Sequence, residues 1–188
     1  MKKLFLMAVM MAATITASAQ QPTGSWSITP KVGINLANLA GDVSNNSIKV
    51  GLTAGAEAMY QITPLIAVSG GVMYSVQGCN GSGDTKLSFD FLNIPLLANF
   101  FVAPNFALKV GLQPGIVLSA KEKHDKAEYD WKDNMQTLDF SVPIGASYKI
   151  SDFVIDARYN LGIAKVNKGN SSIRNSVFQI TVGYLLPL

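Results

Sequence analysis

Over most of this chain apolar and polar residues change places at nearly every position, and the charged residues keep to the polar phase. A period of two marks extended strands with a different environment on each face. Eight such runs follow one another. The first sets Trp26, Ile28, Val32, Ile34 and Leu36 against Ser27, Thr29, Lys31, Gly33 and Asn35. The second carries Ile48 to Tyr60 on even positions, and the third Ile66, Val68, Val72, Tyr74 and Val76. The fourth has Leu92, Ile94, Leu96, Ala98 and Phe100; the fifth runs from Phe106 to Leu118. The sixth spans Leu138 to Tyr148, the seventh Phe153 to Ile163 and the eighth Phe178 to Leu186.

The composition of the polar phase decides which face meets water. A soluble barrel needs a charged exterior, yet only 14 % of these residues are charged, against about a quarter in ordinary soluble domains. The polar phase consists of Gly, Ser, Thr, Asn and Gln, with Lys31, Glu57, Lys109, Asp139, Asp156 and Arg158 well inside the strands. Small residues suit the cramped interior of an eight-stranded barrel. The bulky aliphatic phase is therefore expected to face lipid, and the six charges, three of each sign, to form a lumenal ion-pair network. Such a barrel is too narrow for the aqueous channel of 16- to 18-stranded porins, so a packed lumen is expected, with a narrow solute path as the alternative.

The connectors support this plan. Short turns surround Thr63-Pro64, Pro104-Asn105 and Ser151-Asp152, whereas polar loops cover 41–47, 78–86, 121–136 and 165–174. Short turns at one end and long loops at the other are the layout of an up-and-down outer-membrane barrel. Trp26, Tyr60, Phe100, Phe106, Tyr148, Phe153 and Tyr184 all lie on the apolar phase near a short turn or a terminus. They read as the periplasmic half of an aromatic girdle. Ahead of the barrel, Lys2-Lys3, the apolar run from Leu4 to Ala13 and Ala17-Ser18-Ala19 have the pattern of a cleaved secretory signal. The expected organisation is a signal peptide over 1–19 and one antiparallel transmembrane β-barrel domain over 20–188. Losing Lys2 and Lys3 leaves 13 basic against 12 acidic residues, so nothing points to nucleic acid. At the other end, Thr181-x-Gly183-x-x-Leu186-x-Leu188 resembles the signal read by the barrel-assembly machinery.

Three stretches bring a family into view. Lys31-Val32-Gly33-Ile34-Asn35-Leu36-Ala37-Asn38-Leu39 with Gly41-Asp42 resembles the opening strand of the porin-like outer-membrane β-barrel family that includes PorT. Leu92-Asn93-Ile94-Pro95-Leu96-Leu97 is similar to its middle strand, and Gly111-Leu112-Gln113-Pro114-Gly115 to the strand after it. The resemblance spans essentially the whole chain after the signal. It implies a Gram-negative outer-membrane location and, through the PorT branch, an association with protein secretion.

Candidate chemistry is sparse. The lone histidine, His124, and Ser119 stand in or beside the third loop without an orienting partner, so no catalytic residue is assigned and lipid-modifying catalysis is only a weaker alternative. Nine of the 27 charged residues fall between positions 121 and 133. That loop reads as a solvated surface or as a recognition surface with Tyr129 and Trp131 as aromatic anchors. Asp125, Glu128, Asp130 and Asp133 follow no EF-hand ligand order, and no metal or cofactor is assigned. Cys79 sits in the Gly/Ser/Asn-rich stretch read as the second loop, free for an intermolecular disulfide. The function expected is a non-enzymatic outer-membrane protein whose long loops meet a protein or surface ligand, with outer-membrane lipid around the barrel.

Overall fold

The computed structural model describes residues 21–41, 47–80, 86–124, 127–130, 136–165 and 173–188. Its strands are β1 (Trp26–Gly41), β2 (Ser47–Thr63), β3 (Ile66–Asn80), β4 (Lys86–Asn93), β5 (Leu96–Ala103) and β6 (Phe106–His124). They continue with β7 (Ala127–Asp130), β8 (Leu138–Ile150), β9 (Phe153–Gly162), β10 (Ile173–Tyr184) and β11 (Leu186–Pro187). Pairing is antiparallel throughout and closes on itself: β10, β9, β8, β6, then β4 with β5, then β3, β2 and β1, which returns to β10.

Eleven segments make eight staves. β4 and β5 both lie between β3 and β6, so they form one stave, interrupted at Ile94-Pro95. Pro95 has no N–H to give to the ladder. Its carbonyl accepts from Gly71 across the break, and Ile94 donates to the Pro114 carbonyl on the other side. β11 likewise extends β10 along β1, pairing at Ser27 and Ile28. β7 is a short return strand that pairs with the far end of β6. The eight-stranded up-and-down barrel read from the alternation is the fold observed.

The faces are also those the alternation implies. On the outside Val50 and Leu52 are 64 % and 66 % exposed, values that a water-soluble core would never tolerate in series. On the inside Ser27, Thr29, Lys31, Asn35, Thr53 and Glu57 are buried. Trp26 packs against Tyr60 in cross-strand register, the rings tilted by 42° with centroids 5.0 Å apart. Phe153 meets Tyr184 edge-on at 5.3 Å, and Phe106 faces Tyr148 across β6 and β8. With Phe100, which pairs with Ile66 beside the Pro64-Leu65 turn, these rings ring the short-turn end on the outer surface.

Several loop boundaries differ from the sequence reading. β10 begins at Ile173, five residues before the eighth run, so Arg174 belongs to a strand and not to a 165–174 loop. β4 begins at Lys86, six residues before the fourth run. Residues 78–80 belong to β3, and Cys79 is buried inside the barrel instead of lying in a loop. β3 continues because Gly78, at φ +122°, bends the strand without ending its pairing to β4. The third loop is shorter than 121–136, because Lys121–His124 complete β6 and fold back into β7.

Candidate functional site

Buried charged and polar side chains converge in the lumen, which is layered. Nearest the short turns lies an ionic cluster. Lys31 comes from β1, Glu57 from β2, Lys109 from β6, and Asp156 and Arg158 from β9. All five are at most 5 % exposed. Lys31 Nζ donates to Glu57 Oε2 at 2.9 Å and to Asp156 Oδ2 at 3.3 Å. Lys109 Nζ reaches Glu57 Oε1 at 2.8 Å and Asp156 Oδ2 at 2.7 Å, a strut from the far side of the barrel. Arg158 grips Asp156 through Nε and Nη2, at 2.7 and 2.9 Å, and Glu57 Oε2 through Nη2 at 2.9 Å. Each carboxylate is thus held by three cations. Asn99 braces the group at one remove, donating to Ser69 Oγ, which donates to Glu57 Oε1.

Room for these long side chains comes from the residues opposite them. Lys31 pairs with Gly183 on one side and Gly55 on the other, Glu57 with Gly71, and Gly145 with both Lys109 and Arg158. A Cβ at Gly145 would stand 2.6 Å from the Arg158 Cα and Cβ, and one at Gly183 would stand 2.8 Å from Lys31 Cγ. The inward glycines are therefore spaces for the ionic layer. Below it a cavity of about 50 Å³, lined among others by Thr29, Lys149 and Leu185, has room for a few waters.

Asp139 does not join the cluster. It lies six residues along β8 from Gly145, about 20 Å away at strand rise. There it accepts from Asn175 Nδ2 at 3.0 Å. The six-membered neutral network expected from the sequence is thus a five-membered one with three cations and two carboxylates. Counting charges by sign had ignored their height along the barrel axis.

Above the ions comes a layer of amides and hydroxyls. Asn35 donates to Ser75 Oγ at 2.9 Å, Gln77 to the same oxygen at 2.9 Å, and Gln179 to Thr53 Oγ1 at 3.0 Å. Nearer the long-loop end the lumen turns apolar. Leu39, Cys79, Phe89, Phe91, Val117 and Ala120 pack together there, with Phe91 fully buried. Sequence reasoning missed this second filling. Along β4 the alternation holds but its polarity is reversed, with Leu87, Phe89 and Phe91 on the inward phase and Ser88 and Asp90 on the outward one. The β-bulge opposite Asp90 and Phe91 falls on β6, where Leu118 is the extra residue. The signal that could have found it is the run Leu87, Phe89, Phe91, which alternates with Ser88 and Asp90.

The loop candidates have no side-chain geometry to weigh. Trp131 lies outside the described residues; Tyr129 sits on β7 opposite Glu122, and its side chain is outside them too. The same holds for the His124 side chain and for the acidic residues of that loop.

With this geometry the chain can be compared with known proteins. Curated protein sequences give no match. Among solved structures, Ail, the attachment invasion locus protein of Yersinia pestis, in complex with the heparin analogue sucrose octasulfate, matches with a TM-score of 0.58 at 16 % identity. The match covers 88 % of this chain and 100 % of Ail. Neisserial surface protein A matches with the same TM-score and identity over 85 % of this chain and 96 % of its own. At such identity the likeness is one of fold. The model of the outer membrane protein beta-barrel domain matches residues 18–168, and the chain belongs to that family of bacterial outer-membrane proteins.

Proposed function

We propose that this protein is a non-enzymatic outer-membrane barrel, closed to solutes, that serves as a rigid base for contacts made at its long-loop end. The filled lumen carries the reading: the ionic cluster and the Phe89–Phe91 cluster occupy it at two separate levels. A second feature supports the contact role. β6 is 19 residues long. At about 2.5 Å of height per residue for a tilted strand, it stands roughly 47 Å tall against an apolar band of about 25 Å. With β7 it raises a charged hairpin well above the membrane. Residues 1–19 act in this reading as the export signal.

Purified protein in planar bilayers is expected to show no stable conductance above background. A persistent open channel would overturn the closed-lumen reading. The PorT resemblance favours a second reading, a place beside a secretion apparatus, which the same hairpin would serve. Crosslinking from residues 121–124 in intact cells distinguishes the two. Capture of secretion components supports the second, and capture of an external ligand or surface protein supports the first.

A further inference from the structure

One patch of the outer surface differs from the apolar band around it. Where β1 and β10 close the barrel, beside β9, a groove of about 390 Å³ is lined by Ala40, Gly41, Tyr159, Leu161, Ile163 and Arg174. Tyr159 Oη and Ser176 Oγ lie 2.6 Å apart at its edge. The Arg174 side chain is exposed and on the outward phase, between inward Ile173 and inward Asn175. Lys165, just past the end of β9, is exposed as well. Neither cation has an ion-pair partner among the described residues.

The depth of the patch fixes its surroundings. Phe153 stands in the short-turn girdle at the start of β9. Ile163 is ten residues on, which is about 25 Å of height, the full thickness of the apolar band. Arg174 belongs at the same level, since Ser176 pairs with Leu161 and the strands run antiparallel. Arg174, level with Ile163, and Lys165, two residues beyond it, therefore sit at the outer headgroup boundary, and the Tyr159–Ser176 hydroxyl pair lies just below them beside Leu161. Guanidinium with ammonium is the donor set that phosphate recruits, through charge-assisted hydrogen bonds. Ala40 and Gly41, with little or no side chain, leave a depression on the outer face of the paired seam where a headgroup can rest.

We propose that this groove seats the phosphorylated headgroup of an outer-leaflet glycolipid. Arg174 and Lys165 hold the phosphate, and the sugar rests against Ile163. The Tyr159 and Ser176 hydroxyls below it hydrogen-bond to the carbonyl that begins the acyl chain, whose first carbons continue down beside Leu161. The seat is independent of what the raised hairpin binds.

The test uses the full protein folded into phosphatidylcholine vesicles containing diphosphorylated lipid A, with retained lipid counted per barrel by native mass spectrometry. Wild-type protein is expected to hold lipid A. Arg174→Gln with Lys165→Gln is expected to weaken retention about tenfold or more, the range for lost hydrogen bonds to a charged group. Lys121→Gln, an exposed cation on a different stave, is expected to leave retention unchanged. Folding of each variant is checked by heat-modifiable migration. Two arms on the wild-type protein need no variant: lipid A stripped of phosphate should be held equally weakly, and excess inorganic phosphate should fail to displace the lipid. Equal retention by the double variant, or equal retention of dephosphorylated lipid A, would overturn the proposal. Full displacement by inorganic phosphate would overturn it too, by reducing the groove to an anion site with no role for the acyl chain.

Discussion

The ionic cluster makes a quantitative prediction for Asp156→Asn. Asp156 is fully buried and accepts four hydrogen bonds from three cations, one from Lys31, one from Lys109 and two from Arg158. Asparagine fills the same volume but removes the charge and turns an amide N–H₂ toward groups that only donate. The cluster would pass from three cations against two carboxylates to three against Glu57 alone. The small cavity below cannot hydrate that excess fully. Removing one partner of a buried ion pair costs about 3–5 kcal/mol, because the partner is left uncompensated. The upper part of that range is expected here, since three cations lose contacts at once. The assay is a urea titration of protein folded in phosphatidylcholine vesicles, followed by the heat-modifiable band and by tryptophan fluorescence. Lys109→Met added to Asp156→Asn restores the original excess of one cation and should recover at least half of the loss, a coupling that a double-mutant cycle reads directly. A single variant within about 1 kcal/mol of wild type, or a double variant that simply sums two losses, would refute the account of the cluster as mutually compensating charge.

Three further outcomes follow from the faces and the packing. Ile144, 54 % exposed and near mid-height on β8, meets hydrocarbon, so Ile144→Arg should destabilise the vesicle-embedded barrel by about 2–4 kcal/mol in the same titration. An unchanged midpoint would place that face in water. Gly33 lies on the closing seam, where a Cβ would run into the Ile180 carbonyl and stand 2.6 Å from the Thr181 Cα. Gly33→Ala should cost about 3 kcal/mol through forced separation of β1 from β10, seen as a weakened folded band on gels. Cys79, 1 % exposed beside Phe89 and Phe91, should resist maleimide in the folded barrel and react fully once it is unfolded; rapid labelling of folded protein would return it to a loop.

How much of this was legible in the sequence depended on whether one phase stayed apolar and the other polar. β2, β8, β9 and β10 keep that contrast, so their faces and the inward places of Glu57, Asp156 and Arg158 follow from counting in twos. β4 does not keep it. From Leu92 to Phe100 the outward phase is the apolar one, but at Phe89 and Phe91 the inward phase is, with polar Ser88 and Asp90 facing out. The apolar phase thus changes sides along the stave, and the count stops there. Composition misled at Cys79, because Gly78 and Asn80 look like turn residues but here serve a bent strand end. The hairpin of β6 and β7 was invisible for another reason. Its sequence from Lys121 to Asp130 carries charges on both phases, so no hydrophobic period marks it.

The two fillings of the lumen also explain why the barrel has one register. An outer surface of interchangeable aliphatics gives lipid no preference between pairings, because a shift of two residues presents the same greasy face. Specificity must then come from inside. Lys109 reaches both carboxylates only if β6 stands at one height relative to β2 and β9, and each long side chain fits only opposite a glycine. A two-residue slip of β1 against β2 would place Lys31 opposite Thr53 or Glu57 instead of Gly55, closing the space it occupies. The buried charges, weak as a source of net stability, thus act as the device that selects this pairing over its neighbours.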